Sequence, residues 1–171
     1  MTAPLFPMLS ATALALCAGS FCSQAAATTT PVTESNPAVL ACQAARSANE
    51  GVLRKRPKAI QNEGTTSVFI SCGLHGSGVG GIAPRTTSAF VSVVNIGTAP
   101  VNVSCTAIDL SNDVTVTKSG IVPVGGSRYL QFYATELDPS GSWYTPAFSC
   151  VLPPGAGVRE IWHNFNQEVG A

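Results

Sequence analysis

Cys42, Cys72, Cys105 and Cys150 constrain this chain more than any other feature of its 171 residues. They are the cysteines that remain once an N-terminal leader is set aside. Residues 1–27 carry no charged side chain, and 5–22 are dominated by Leu, Ala, Phe and Met. The stretch ends in Ser23-Gln24-Ala25-Ala26-Ala27, and small residues at −3 and −1 suit a signal peptidase cleft. Residues 1–27 therefore read as a cleaved signal peptide, and the protein as secreted or periplasmic. The leader departs from the usual pattern in having no Lys or Arg at its start. A membrane anchor would need about 20 predominantly apolar residues. Ser, Thr, Gly and proline interrupt this run, so no transmembrane segment is expected after cleavage. Cys17 and Cys22 leave with the leader.

An even number of cysteines in an oxidising compartment points to a disulfide framework. None of the four lies in a Cys-x-x-Cys pair, which argues against a zinc ribbon or a thioredoxin-like redox site. Three pairings are open. Cys42–Cys72 with Cys105–Cys150 is the expected one, because each bridge then closes a sequence-local half. Cys105 and Cys150 also fall on inward-facing positions of their strands. Each bridge would contribute about 3–4 kcal/mol, mainly by restricting the unfolded chain.

Removing 27 residues from 171 leaves 144, enough for one domain with a real core. Only 11% of residues are charged, and nine basic residues balance nine acidic ones. A nucleic-acid partner would call for a basic excess and is not expected. The hydrophobic fraction of 45% is too high for a disordered chain.

Residues 28–41 read as a flexible spacer, since 28–37 hold two prolines and no apolar period. Residues 39–48 have some helical character. Strand signals then recur at short intervals, over 59–62, 66–72, 87–95, 101–109, 114–118, 127–134, 147–152 and 158–167. Glu63-Gly64-Thr65 reads as a hairpin between the first two. In 101–109, Val101, Val103, Cys105 and Ala107 alternate with Asn102, Ser104 and Thr106. In 87–95 the parity is open, with Phe90/Val94 competing against Val91/Val93 for the core. No repeat with a period of 20–50 residues is visible. Seven or eight strands without intervening helices predict an all-β, antiparallel β-sandwich over 42–171, immunoglobulin- or fibronectin-III-like, with two disulfides.

Val94-Asn95-Ile96-Gly97-Thr98-Ala99-Pro100-Val101-Asn102-Val103 resembles the hairpin of many bacterial immunoglobulin-like domains. Ile121-Val122-Pro123-Val124-Gly125-Gly126-Ser127 looks like the turn before a later strand of such folds. The wider arrangement carries Val103-Ser104-Cys105, Phe148-Ser149-Cys150-Val151-Leu152-Pro153-Pro154, Ile161 and Phe165. Over roughly 42–168 it is similar to small, uncharacterised, secreted bacterial β-sandwich proteins. The resemblance implies a fold and a compartment, and no activity.

The candidate chemistries are few. Gly76-Ser77-Gly78-Val79-Gly80-Gly81 fits the dinucleotide pattern G-x-G-x-x-G, but Ile82-Ala83-Pro84-Arg85 opens no helix to receive a pyrophosphate. His75 and Ser77, with Asp109, Asp113 or Asp138, could form a hydrolase triad, though no nucleophile elbow surrounds Ser77. His163 shares its parity with Ile161 and Phe165 and reads as a partly buried histidine. Two histidines without ligand spacing make a poor zinc site. The segment Asp109-Leu110-Ser111-Asn112-Asp113 offers alternating oxygens, yet Val114 and Gly120 stand where a calcium loop needs Gly and Glu. No catalytic residue, cofactor or metal is assigned.

Two surfaces remain. Arg54, Lys55, Arg56 and Lys58 cluster within five positions and could meet an acidic glycan, lipid or polyphosphate. Tyr129 and Tyr133, with Gln131 between them and Trp143 and Tyr144 nearby, could form an outward face for a carbohydrate or protein. The leading expectation is a non-enzymatic module that binds a protein or glycan surface. A small Ser/His hydrolase and a structural envelope or appendage component are the alternatives.

Overall fold

The period-two alternation of the sequence is carried through in the computed structural model, which describes residues 28–74, 85–110, 113–141, 143–144 and 146–169. The leader, the 76–81 glycine motif, His75 and Ser77 lie outside the described residues. Strands β1 (Thr28–Pro37), β2 (Cys42–Ala44), β3 (Leu53–Arg56), β4 (Ala59–Asn62), β5 (Val68–Gly73) and β6 (Arg85–Asn95) come first. Strands β7 (Val101–Asp109), β8 (Val114–Val122), β9 (Ser127–Tyr133), β10 (Pro146–Leu152) and β11 (Ala156–Val169) follow. Two single turns of α-helix, α1 (Ala38–Ala41) and α2 (Ala134–Leu137), and one 3-10 turn over Ser47–Asn49 connect strands.

The strands form two antiparallel sheets. One has the order β3-β4-β11-β6-β9, with β1 added alongside β11; the other has the order β2-β5-β10-β7-β8. The antiparallel sandwich with two disulfides is thus as expected. Its connectivity is that of an eight-stranded jelly roll, β4 to β11, in which every successive pair but β7 and β8 crosses between sheets and the last strand runs through the middle of one. In an immunoglobulin sandwich the last strand lies at an edge.

The core is made by one face of each strand. Val68 and Ile70 of β5, Val103, Cys105 and Ala107 of β7, and Phe148, Cys150 and Leu152 of β10 meet Leu130 and Phe132 of β9 and Val158 and Ile161 of β11. The parity of β6 resolves in favour of Ala89, Val91 and Val93, all fully buried in that core.

Both disulfides lie in the second sheet and join directly opposed residues, Cys42–Cys72 across β2 and β5, and Cys105–Cys150 across β7 and β10. The Cα–Cα distance is 4.0 Å in each. They therefore staple neighbouring strands, not facing sheets.

Three readings of the sequence are corrected by the topology. Residues 28–37, expected as a flexible spacer, form β1, which pairs with β11 over its whole length from Thr28↔Val169 to Pro37↔Glu160. Glu63-Gly64-Thr65 and Ile96-Gly97-Thr98 are not hairpins; each carries the chain from one sheet to the other. And a repeat does exist.

The two crossings are built alike. Asn62-Glu63-Gly64-Thr65 and Asn95-Ile96-Gly97-Thr98 stand 33 positions apart, and both runs continue to Ser-Cys at 71–72 and 104–105. Asn62 is fully buried. Its Oδ1 accepts the Gly64 N–H, and its Nδ2 donates to the carbonyls of Thr66 and Leu152. Asn95 repeats this with the Gly97 N–H and the carbonyls of Ala99 and Val122. Leu152 and Val122 each precede a proline and a left-handed glycine, Gly155 (φ 79°) and Gly125 (φ 68°). These glycines return an N–H to the carbonyls of Asn62 and Asn95, respectively. Each buried amide thus pins two inter-sheet arches together, satisfying backbone groups that would otherwise be stranded.

Candidate functional site

The outward face of the first sheet carries the richest side-chain array. Alternation puts Tyr129, Gln131 and Tyr133 of β9 on the side opposite Leu130 and Phe132. Strand register then assembles three rows across the sheet. Tyr129 stands opposite Ser92, which faces Glu160, which faces Pro37. Gln131, Phe90, Trp162 and Ser35 form the second row, and Tyr133, Ser88, Asn164 and Thr33 the third.

Tyr129 and Trp162 reach over Ser92, their ring centroids 5.6 Å apart, and leave that serine 1% exposed. Tyr129 and Tyr133 are 49% and 46% exposed, whereas Phe90 and Trp162 are half-buried between them. The polar members are held in place. Thr33 Oγ1 donates to Asn164 Oδ1 at 2.7 Å, Asn164 Nδ2 donates to Ser88 Oγ at 2.9 Å, and Ser35 Oγ donates to Glu160 Oε2 at 3.2 Å. The result is a flat platform of aromatic rings interleaved with amides, hydroxyls and a carboxylate.

Tyr129 and Tyr133 are exposed as their alternation with Leu130 and Phe132 predicts, but the neighbours expected beside them are not all there. Trp143 takes no part: it is fully buried, donates Nε1–H to the Ile108 carbonyl at 3.1 Å, and packs edge-on against Phe148. Tyr144 lies instead beside Arg85, whose guanidinium carbon is 5.5 Å from its ring centroid. Phe90 and Trp162 take the vacant roles. Trp162 had a signal, since its parity is opposite to that of Ile161.

One end of the platform opens into a notch. Strands β4 and β1 pair with the same side of β11, β4 at Gly157 and Val158 and β1 from Glu160 onward. Arg159 falls between them at a register shift, a β-bulge, and is exposed. Pro37 ends β1, and Pro57 and Lys58 make the two-residue turn from β3 to β4. Pro37, Pro57, Lys58, Arg159 and Glu160 line a cavity of about 410 Å³.

The basic cluster is thereby divided. Arg56 forms a bidentate pair with Glu63, Nε to Oε1 at 2.8 Å and Nη2 to Oε2 at 2.9 Å. Arg54 and Lys55 are exposed on the edge strand β3. Of the four, Lys58 lines the notch, as Arg159 does.

His163 occupies a different place, inside the sandwich. It is 1% exposed, with Nδ1 3.4 Å from Thr86 Oγ1 and Nε2 3.6 Å from Glu34 Oε2. Burial lowers its pKa, against the opposing pull of Glu34. An acid, an imidazole and a hydroxyl do converge, but Thr86 is also 1% exposed, so a substrate has no approach to either. Among the described residues no group of three or more His, Cys, Asp or Glu side chains is placed to hold a metal, and no helix is long and apolar enough to cross a membrane.

No family model matches this chain, and no curated protein matches it. Among solved structures it is similar to the carbohydrate-binding module TmCBM61 in complex with β-1,4-galactotriose, at 6% identity and a TM-score of 0.35, covering 80% of this chain and 88% of that one. PfGH50B matches at 12% identity and a TM-score of 0.39, over 85% of this chain and 24% of that one. The arabinose-bound α-L-arabinofuranosidase MgGH51 matches at 12% identity and a TM-score of 0.33, over 81% of this chain and 23% of its own. The chain thus spans about a quarter of the latter two, and all three are too distant for their ligands to bear on this protein.

Proposed function

We propose that this protein is an exported, non-enzymatic glycan-binding module that uses the outward face of its first sheet. The observation that carries the reading is the composition of the three rows: four aromatic rings among hydroxyls, amides and one carboxylate, with no Leu, Ile, Val or Met. A protein-docking core usually mixes aromatics with methionine and arginine. A sugar ring presents a flat C–H face beside hydroxyls that both donate and accept. Rings such as Tyr129 and Trp162 complement the first, and Gln131, Asn164 and Glu160 complement the second. Two disulfides fit an oxidising compartment, and with it the signal peptide read over residues 1–27.

Affinity electrophoresis of the oxidised protein through gels containing soluble polysaccharides tests the proposal. At least one polysaccharide should retard the wild type. Trp162→Ala and Tyr129→Ala should each weaken that retardation tenfold or more while leaving the thermal midpoint within a few degrees. Equal migration with every polysaccharide, or retardation indifferent to both substitutions, overturns it.

A further inference from the structure

We infer that the glycan bound there is anionic, and that one of its carboxylate or sulfate groups seats in the notch between Lys58 and Arg159. This rests on the glycan reading and adds the class of ligand. Three observations lead to it. The notch is continuous with the platform, because Glu160 and Pro37, the last two members of the row that begins at Tyr129, also line the cavity. Along β11 the step from Trp162 to Glu160 is two residues, about 7 Å at the usual strand rise. A short oligosaccharide stacked on Trp162 and Tyr129 therefore reaches the notch without leaving the sheet surface.

Second, the two cations there are uncommitted. Among the described residues the carboxylates that form ion pairs serve other groups, Glu63 with Arg56, Glu136 with Lys118 and Glu34 with His163, while Glu160, which lines the same notch, accepts from Ser35. Neither Lys58 nor Arg159 is tied to a carboxylate in this way. Arg54 and Lys55 are exposed on β3, the strand that leads into the Pro57-Lys58 turn. Third, the backbone brings these cations to one cavity, Arg159 from the bulge in β11 and Lys58 from the turn between β3 and β4. Arg159 falls at the bulge and is exposed, and β1 ends at Pro37 while β4 begins only after Pro57 and Lys58. An arginine fork takes an oxyanion through two parallel N–H bonds, and a lysine adds a point charge beside it. Glu160, already accepting from Ser35, remains as an acceptor for a neighbouring sugar hydroxyl.

Titration calorimetry against matched pairs of oligosaccharides tests this: several oligouronides with their methyl esters, and sulfated oligosaccharides with their desulfated forms. Each pair keeps the rings and changes only the charge, and the two kinds of pair separate uronate from sulfate. The acid member of at least one pair should bind tenfold or more tighter than its neutral member. That advantage should shrink as salt is raised from 50 to 500 mM. The double variant Lys58→Gln/Arg159→Gln should lose the advantage, binding the acid member no tighter than the neutral one, and Trp162→Ala should weaken both members. Neutral members that bind as well as the acids overturn the inference and leave the platform reading standing. No binding by any member overturns the inference, and the platform reading is then decided by the polysaccharide gels alone.

Discussion

His163 shows what burial does to a titrating side chain in this fold. The unfolded chain takes up a proton near the ordinary histidine pKa of about 6.5, and the folded chain resists it because desolvation lowers the pKa. The unfolded state therefore binds more protons in this range, and stability rises with pH. The contribution of neutral His163 is complete above about 6.5 and is lost as pH falls toward the depressed folded value. Urea unfolding should accordingly give a constant midpoint between pH 7 and 8 and a falling one between pH 6.5 and 5. His163→Leu should flatten the latter slope, and an unchanged slope would assign it elsewhere. A second test concerns Gly155, held at φ 79°, where an added Cβ would lie 2.7 Å from the Gly97 Cα. Gly155→Ala should cost at least about 1–2 kcal/mol from the left-handed backbone alone, read as a drop in the denaturation midpoint. Single residues were unevenly legible. The inward parity of His163 and the outward parity of Tyr129 and Tyr133 follow from alternation, which depends only on neighbours in sequence. Trp143 was misplaced because the segment around it has no period, and its burial is decided by Phe148 and the Ile108 carbonyl.

Among the elements, the paired arches govern how the two sheets are held in register. Asn62→Ala or Asn95→Ala would strand one buried N–H and two carbonyls, at a cost of about 1–3 kcal/mol or more. The two sites are linked, since Gly155 donates to the Asn62 carbonyl and accepts from the Ile96 N–H. A double-mutant cycle by chemical denaturation should therefore show a coupling of about 0.5 kcal/mol or more; strict additivity would mean the arches act separately. The strands themselves were mostly visible from alternation and turn residues, but their partners were not. Asn62-Glu63-Gly64-Thr65 has the composition of a hairpin, and only the buried amide, reaching Leu152 far along the chain, decides that it crosses between sheets. Strand β1 was hidden for a related reason. An edge strand with one neighbour needs no continuous apolar face, so Thr, Ser, Asn and proline serve where a central strand would need valine. The notch depends on β1 and β4 sharing one side of β11, and it was hidden along with them.

At the level of the molecule, covalent reinforcement and proposed recognition are assigned to different layers. The bridges close sequence separations of 30 and 45 residues, both within the sheet β2-β5-β10-β7-β8. Removing either, as Cys42→Ala/Cys72→Ala or Cys105→Ala/Cys150→Ala, should lower unfolding stability by about 2–5 kcal/mol. The effect should appear in denaturant midpoints, whereas saccharide affinity at temperatures well below unfolding should change less than threefold. A comparable loss in both would show that the layers are not independent. The cysteines and their pairing were readable because covalent chemistry limits the options to three; their location in one sheet was not, because parity specifies a side of a strand and never its neighbour. The aromatic rows, by contrast, hang on a layer without sulfur cross-links and point away from the interior. Exchanging Tyr129, Gln131, Tyr133 or Asn164 would therefore redraw what the protein selects while its armour stays untouched, which makes this scaffold suited to acquiring new ligands faster than it loses its shape.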